Sequence, residues 1–448
     1  MKPGLPKGTR DFTPAQVRKR NFIFNILRET FELYGYQPIE TPAMENLHTL
    51  MGKYGDEGDQ LLFKVLNNGD FLAKADAEAL AEKDSRKALP SLSKRGLRYD
   101  LTVPFARFLS MNRNELAMPF KRYQIQPVWR ADRPQKGRFQ EFYQCDADVA
   151  GSTSLVYEAE LIEIYDRVFA KLRLPVKIRI NHRKLLLAMA QFAGIESLFS
   201  EFTTALDKWD KTGEPGFVRD MESLNTDADT IQSLLQILRD GFDHPDTREK
   251  LSRSEAGKQG LEELKEIQLL GGWDDLYNPV AVDLTLARGL SYYTGCILEV
   301  EPTGFDMGSL GGGGRYDDLT GIFDYKGISG VGISFGAERI YDLMEEAGLF
   351  PPLSAAATRI LFMPFDREDL IYARKWVKQL IDRGIPAEVY PEPTKLKKQF
   401  KYAENLQLPY VALVGERERK AEVVAVKNQK TGEQKDYSTA ELIRLLKD

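Results

Sequence analysis

The side chains best suited to chemistry lie in two segments, 121–130 and 138–149, separated by a charged, turn-forming loop. Side chains of a β-strand alternate between two faces, so residues of one parity share a face. One face of this predicted hairpin carries most of its polar side chains, Arg122, Gln124, Gln126, Arg130, Arg138, Gln140, Gln144, Asp146 and Asp148. The opposite face carries apolar and aromatic residues that suit a core, among them Tyr123, Trp129 and Tyr143.

This polar face has two interpretations. A sheet face exposed to solvent also alternates, although it typically shows Lys, Glu and Thr. Arginines, amides and aspartates interleaved with aromatic residues favour the floor of a polar pocket, for a ligand with both anionic and cationic parts. The pocket is our working hypothesis, and the exposed sheet stays open as its alternative.

Residues 97–104, LRYDLTVP, alternate in the same way and predict a second polar-faced strand beside the pocket. Arg98, Asp100 and Thr102 would share its polar face. A carboxylate beside a hydroxyl suits an ammonium ligand. The alternative is that Asp100 pairs with a neighbouring arginine, which is common for a half-buried carboxylate.

Two later segments are rich in glycine. The run Gly311 to Gly314 lets a backbone approach a ligand closely, or forms a flexible hairpin, and it lacks the spacing of a phosphate-binding P-loop. A glycine-spaced strand, 330–336, runs directly into a helix that carries Arg339. Its glycines would leave room for a planar ring, with Arg339 near phosphates; a surface arginine is the alternative. A polar and aromatic cluster precedes both segments: Arg288, Tyr292, Tyr293 and Thr294.

Length and composition describe an ordinary globular protein of two or three domains, with 448 residues, 42% hydrophobic and 29% charged. No apolar run is long enough to span a bilayer, and the N-terminus lacks a secretory signal. Two lone cysteines, Cys145 and Cys296, fit a reducing cytoplasm. Three scattered histidines lack zinc-site spacing, so we predict no protein-bound metal centre.

The net charge of −5 does not by itself indicate a nucleic-acid partner. The charge is uneven, however, because residues 359–448 hold 18 Lys and Arg against 14 Asp and Glu. A mildly basic C-terminal region permits contact with RNA without demonstrating it.

Periodicity divides the chain into regions. Helical spacing over 14–34, with apolar surface wider than one stripe, predicts a helix that is buried within the chain or at a subunit interface. Residues 184–272 are polar, helical and without chemical motifs, which indicates an inserted helical domain. Beyond a proline-containing linker, strands and helices alternate over 359–448, which predicts a compact α/β domain. Its last helix opens with Ser438 and Glu441 at capping-box spacing.

Together these stretches resemble the histidyl-tRNA synthetases, a class II aminoacyl-tRNA synthetase family. KGTRDF at 7–12 resembles the family's N-terminal segment, and the helix and strand through Pro42 resemble class II motif 1. VWRADRPQKGRFQEFYQCDAD resembles motif 2 and GVGISFGAERI motif 3, whereas LARGLSYYTG and GGGGRYDDL resemble motifs particular to the histidine enzymes. The resemblance implies an α+β catalytic core on a mainly antiparallel sheet (1–183 and 273–350), a helical insertion (184–272) and a C-terminal α/β anticodon-binding domain (359–448).

The resemblance also implies residue roles. In the histidine pocket, Asp100 and Thr102 would hold the amino group, Gln144 the amino acid, Asp148, Tyr292 and Tyr293 the imidazole, and Tyr316 would close the pocket. Arg130 would contact the α-phosphate of ATP and Arg339 the γ-phosphate, while Arg288 would stabilise charge during activation. Asp132 would contact adenine with a shorter side chain than the glutamate usual in motif 2.

The implied activity is ATP-dependent ligation of L-histidine to tRNA(His) through a histidyl-adenylate, with Mg²⁺ accompanying ATP. A cytoplasmic homodimer with no membrane association is expected. One alternative is a non-catalytic regulatory subunit of ATP phosphoribosyltransferase, which resembles the core but lacks the C-terminal domain. Another is a related enzyme for proline, threonine or glycine, which RGLSYYTG and Asp148 argue against.

Overall fold

The computed structural model describes residues 2–52, 55–134, 137–287, 293–323, 325–352 and 357–447. The chain divides into two compact units, residues 1–10 with 20–349, and residues 11–19 with 350–448. Within the described residues, every helix is too short or too polar to cross a lipid bilayer. The predicted domain boundaries remain predictions.

The first unit is built on a mixed sheet that is mainly antiparallel, as expected. The strands of this unit are β1 (Gln37–Pro38), β2 (Met44–Asn46), β3 (Lys64–Val65), β4 (Arg95–Leu97), β5 (Phe120–Trp129), β6 (Glu141–Ala150), β7 (Val176–His182), β8 (Val280–Val282), β9 (Cys296–Pro302), β10 (Gly311–Tyr316) and β11 (Gly330–Gly336). Among the described residues, eight of them form one sheet in the order β1-β5-β6-β11-β10-β9-β7-β8. In the described part of this sheet, only the pairs β1–β5 and β7–β8 are parallel. This order brings the 120–150 hairpin directly beside the glycine-rich strands.

The helices of the first unit cover and connect this sheet. They are α1 (Pro14–Leu33), α2 (Leu47–Leu50), α3 (Gly55–Leu61), α4 (Ala77–Ala81), α5 (Ser85–Leu92), α6 (Thr102–Asn112), α7 (Val156–Leu172), α8 (Arg183–Phe192), α9 (Phe199–Asp207), α10 (Trp209–Ser223), α11 (Ala228–Asp240), α12 (Pro245–Leu251), α13 (Glu255–Gly271) and α14 (Ala337–Glu346). Residues 14–19 of α1 are grouped with the second unit. The later part of α1 packs on the apolar face of the hairpin through Phe31 and Tyr123, whose ring centroids lie 5.5 Å apart.

The predicted strand over 97–104 is wrong beyond Leu97. Helix α6 begins at Thr102, and the carboxylate of Asp100 accepts the N–H of Val103 at 3.2 Å. A short polar side chain that binds a nearby backbone N–H favours a helix start over an extended strand. Pro104 is compatible with this start, because N–H groups in the first helical turn lack intrahelical partners. The alternation of polar and apolar residues alone therefore predicted the wrong secondary structure for this segment.

The helical prediction for the polar central region is confirmed, since α8 to α13 occupy it. The middle of helix α13 is attached to strand β7 of the sheet. Glu263 accepts a hydrogen bond from Nε2 of the buried His182 at 2.8 Å and pairs with Lys184. The N–H of Lys184 is donated to Nδ1 of His182, which fixes the proton on Nε2.

The second unit is an α/β structure, as expected. It contains β12 (Ile360–Pro364), β13 (Ala387–Val389), β14 (Tyr410–Val414), β15 (Val424–Asn428), β16 (Gln434–Tyr437), α15 (Arg367–Ile381), α16 (Leu396–Asn405), α17 (Glu416–Ala421) and α18 (Thr439–Lys447). The sheet order is β13-β12-β14-β15-β16. Sequence reasoning missed α17 and β16. At the start of α18, Glu441 accepts hydrogen bonds from the N–H and hydroxyl of Ser438, at 2.9 and 2.7 Å.

Candidate active site

A cleft of about 420 Å³ opens in the first unit above β6, β10 and β11. Every predicted site residue that the structure describes lines this cleft: Asp100, Thr102, Arg130, Asp132, Gln144, Asp148, Tyr293, Tyr316 and Arg339. Arg288 and Tyr292 lie outside the described residues. The sheet therefore brings together side chains that are up to 239 positions apart in the sequence.

The β6 part of the hairpin's polar face lines the cleft through Gln144, Asp146 and Asp148. Arg122 pairs across the strands with Asp148, Gln124 with Asp146, and Gln126 with Gln144. The first two pairs are buried. The exposed-sheet interpretation is therefore wrong for these pairs, and this face borders a cleft as expected. That the cleft binds a ligand with anionic and cationic parts stays a prediction. Burying this many polar groups is costly unless partners or a ligand satisfy them.

Asp148 is held by two neighbours at one end of the cleft. Its Oδ1 accepts the hydroxyl proton of Tyr316 at 2.6 Å, and its Oδ2 lies 2.7 Å from Nη2 of Arg122. Burial raises the pKa of Asp148, while Arg122 and Tyr316 oppose that rise. Burial and the nearby Asp148 raise the pKa of Tyr316 well above its usual value, so the phenol keeps its proton and donates.

Glycines in the neighbouring strands make room for these pocket side chains. A Cβ on Gly332 would lie 2.0 Å from Oδ1 of Asp148, and one on Gly330 would lie 2.2 Å from the ring of Tyr316. A Cβ on Gly314 would lie 2.8 Å from the ring of Tyr293. The glycine runs thus admit protein side chains that line the cleft, rather than forming the flexible hairpin considered above.

Arg130 lies at the middle of the cleft in a fixed position. Its Nε donates to the carbonyl of Tyr99 at 3.0 Å, and its guanidinium carbon lies 4.3 Å from the ring centroid of the same residue. Its Nη2 donates to Oε1 of Gln144 at 3.5 Å, and Nε2 of Gln144 in turn donates to the hydroxyl of Ser334 at 3.2 Å. Such stacking and backbone contact pre-orient a guanidinium for an anionic ligand.

Arg339 reaches the cleft from the first turn of α14. Its Nη1 donates to the carbonyl of Ser309 at 2.7 Å, and Gly137 lies close to its side-chain stem. The preceding Glu338 accepts two hydrogen bonds from Arg20, at 2.7 and 2.6 Å, and a further one from Arg10. The start of α14 is therefore anchored, which fixes the position of Arg339 beside the cleft.

Asp132 lines the loop side of the cleft, where its carboxylate lies 3.9 Å from the guanidinium of Arg138. Three other carboxylates, Asp210, Glu299 and Glu301, lie within 4.8 Å of one another. The guanidinium of Arg179 lies among them and contacts all three. Arg179 therefore balances part of the negative charge of that group.

Sequence reasoning named Arg122 and Asp146 on the polar face but did not assign them to the site. Both are buried, and Asp146 lines the cleft. Strand parity was the signal that could have found them, because they alternate with Gln144 and Asp148 on the same face. The cleft thus has an acidic, aromatic end and a region with two oriented guanidinium groups, an arrangement that fits an amino acid beside a nucleotide.

The antiparallel sheet, the motif 2 hairpin with Arg130 and the motif 3 strand and helix with Arg339 define the core of a class II aminoacyl-tRNA synthetase. The profile described as histidyl-tRNA synthetase matches residues 8–340, and the profile described as anticodon binding domain matches residues 360–448. The chain belongs to the histidyl-tRNA synthetase family.

Similar proteins cover nearly all of the chain. A histidine--tRNA ligase from Christiangramia forsetii is 52% identical, covering 97% of this chain and 97% of that protein. A histidine--tRNA ligase from Porphyromonas gingivalis is 51% identical, covering 97% of this chain and 96% of that protein. The crystal structure of histidyl-tRNA synthetase from Nostoc sp. PCC 7120 is similar with a TM-score of 0.83 at 27% identity, covering 100% of this chain and 99% of that chain.

Proposed function

We propose that this protein ligates L-histidine to tRNA(His) with ATP, through a histidyl-adenylate. The observation that carries the proposal is the single cleft in which Asp148 and Tyr316 face the same space as Arg130 and Arg339. Its acidic end suits a molecule with an ammonium and an imidazole. Its guanidinium groups suit a triphosphate.

In the first step, the histidine carboxylate attacks the α-phosphorus of ATP and pyrophosphate leaves. Both reactants are anionic, so the site must supply positive charge where negative charge accumulates. Arg130 contacts the α-phosphate, Arg339 the γ-phosphate, and Arg288 the charge shared by carboxylate and α-phosphate. Holding the two reactants in line contributes much of the remaining acceleration.

Mg²⁺ bound to ATP supplies further charge neutralisation at the phosphates. Magnesium is usually held by phosphates together with one or two carboxylates. The cleft supplies such an oxygen donor in Glu299, besides the carboxylates assigned to histidine. Asp132 contacts adenine, and its side chain is one carbon shorter than the glutamate usual at this position.

Selectivity for histidine follows from the acidic end. A neutral imidazole presents one donor and one acceptor on opposite sides of a flat ring. Asp148 accepts the ring N–H, and hydroxyl groups of Tyr292 and Tyr293 serve the rest of the ring, with Tyr316 closing the pocket. Asp100, Thr102 and Gln144 hold the amino group and backbone of the amino acid. An analogue without a ring donor leaves buried polar groups unpaired and is rejected.

In the second step, a terminal ribose hydroxyl of tRNA attacks the adenylate carbonyl and releases AMP. The C-terminal domain, 359–448, binds the anticodon, and 1–183 with 273–350 forms the catalytic core around the 184–272 insertion. The active form is a cytoplasmic homodimer. Support for a tRNA partner comes from the anticodon binding domain profile over residues 360–448.

The regulatory-subunit alternative is less supported. Such subunits lack the C-terminal domain, whereas this chain has a complete α/β unit there. Relatives about half identical over nearly the full length are histidine--tRNA ligases.

A charging assay tests the proposal. Purified protein alone, with ATP, Mg²⁺ and radiolabelled histidine, is expected to form histidyl-tRNA from a total tRNA pool. The control omits ATP. A regulatory subunit would leave the label in free histidine under both conditions, and that result would contradict the proposed function.

A further inference from the structure

Asp146 is a buried carboxylate that the proposed roles leave unused. It is 3% exposed, lies on β6 between Gln144 and Asp148, and lines the cleft. Its Oδ1 accepts no hydrogen bond from any residue that the structure describes. A buried acceptor without a partner is costly, and in a binding cleft the natural partner is a ligand donor.

The nearest cation serves a different carboxylate. Nη2 of Arg122 lies 2.7 Å from Asp148 but 4.0 Å from Asp146. Tyr316 also donates to Asp148. Asp148 is therefore paired at both carboxylate oxygens, whereas Asp146 lies farther from the same guanidinium and, among the described residues, its Oδ1 is left for a ligand donor.

The position of Asp146 indicates which part of the substrate would meet it. Side chains two residues apart on a strand lie about 7 Å apart on one face. Asp146 is thus one step from Asp148 toward Gln144, and it interacts electrostatically with Asp100. This places it at the amino-acid backbone end of the pocket, where the substrate carries its only obligatory positive charge.

We propose that Asp146 is a further histidine-binding residue, whose carboxylate accepts a hydrogen bond from the α-ammonium of the substrate and balances its charge. This inference rests on the proposed function. Asp146 would join Asp100 and Thr102 at the ammonium, while Asp148 serves the imidazole and Arg122 positions Asp148.

The electrostatics of the empty cleft agree with this division. Burial raises the pKa of Asp146 to about 7; Arg122 opposes the rise, Asp148 adds to it, Ser334 opposes it and Asp100 adds to it. Below about pH 7 the carboxyl therefore holds a proton, which an incoming ammonium must displace. The affinity of the wild type for histidine is expected to weaken as the pH falls below 7. This pH dependence is expected to disappear when Asp146 is replaced.

Binding of two histidine analogues to Asp146→Asn separates the alternatives. L-Histidinol keeps the ammonium and the ring but lacks the carboxylate; 3-(imidazol-4-yl)propanoate keeps the ring and the carboxylate but lacks the ammonium. By calorimetry, the substitution is expected to weaken histidinol binding about 10–100-fold, the range for a lost charged hydrogen bond, and to change imidazolylpropanoate binding less than about twofold. Asp146→Ser, which removes the charge with a smaller side chain, is expected to give the same division.

The matched control is Asp436→Asn, which removes an exposed carboxylate from the second unit and should change neither affinity. Equal weakening of both analogues would place Asp146 at the ring or make it only structural, and no weakening of either would leave it without a ligand; both results overturn the inference. If wild-type protein bound neither histidine nor histidinol, the proposed function itself would fail, which is a distinguishable outcome.

Discussion

At the scale of single residues, the properties of the cleft depend on which cation or hydrogen-bond donor lies beside each buried carboxylate. Asp146 and Asp148 are the same residue type on the same face of β6, yet only Asp148 has a guanidinium within 3 Å and a phenol donor. Their partners therefore distinguish two carboxylates of the same residue type. The glycines opposite them are equally specific, because a single Cβ would occupy the space of a pocket side chain.

Gly332→Ala is expected to disturb the imidazole end selectively. The new Cβ would lie 2.0 Å from Oδ1 of Asp148, so the carboxylate must shift from its place beside Tyr316. A displacement of about 1 Å at a reacting complex costs up to about 100-fold, so KM for histidine should rise roughly 10–100-fold while KM for ATP stays nearly constant. Gly4→Ala, where nothing lies within 4 Å, is the control. An unchanged KM for histidine would show that Asp148 does not bind the imidazole ring of the substrate.

Arg288→Ala is expected to lower the rate of adenylate formation about 100–1,000-fold with little change in folding. Removing one preoriented group that meets developing negative charge has a cost of this size. Pre-steady-state formation of histidyl-adenylate measures the rate, and the melting temperature checks the fold. Arg253→Ala, on the exposed surface of the helical region, is the control. Near-normal adenylate formation would remove Arg288 from the mechanism.

At the scale of elements, the sequence predicted those whose periodicity is long and uninterrupted. The β5–β6 hairpin, α1 and the strand-to-helix junction at Gly336 all follow their patterns. The segment 97–104 did not, because the local hydrogen bond from Val103 to Asp100 outweighs the alternation. Helix α17 and strand β16 were missed because six and four residues are too few for a period to show. Strand parity placed Asp146 on the correct face of the sheet. The distances from Arg122 to Asp146 and Asp148 could not be predicted, because they depend on tertiary packing.

The attachment of α13 to β7 gives a prediction with a definite pH dependence. The hydrogen bond from His182, aided by Lys184, lowers the pKa of Glu263 to about 2, below its ordinary 4.5. A depressed carboxyl pKa stabilises the fold above about pH 4.5, and this stabilisation is lost as the pH falls toward 2. Glu263→Gln is therefore expected to lower the free energy of unfolding by about 1–2 kcal/mol at pH 7, and by progressively less below pH 4.5.

Urea unfolding of wild type and variant across this pH range measures the difference. Glu262→Gln, at an exposed position of the same helix, is the control and should change stability little at any pH. A destabilisation that stays constant between pH 7 and pH 3 would show that the carboxylate charge does not hold α13 in place.

At the scale of the whole molecule, the sheet order is what assembles the site. Strand β6 lies between β5, its neighbour in sequence, and β11, which follows it by 180 residues. Residues 99–148 and 293–339 therefore meet across one strand pair, although the helical region 184–272 separates them in sequence. The resemblance of the motifs to a known family predicted that these two parts of the chain form one site. Composition and periodicity alone could not predict it, because long-range strand pairing leaves no local pattern in the sequence.

The amino acid that drives ATP–pyrophosphate exchange tests the central claim most directly. With each of the twenty amino acids supplied singly, we expect exchange of label from pyrophosphate into ATP with L-histidine alone. Exchange driven by a different amino acid, or none with histidine in protein that is folded and binds ATP, would contradict an account in which one cleft holds histidine against the phosphates of ATP.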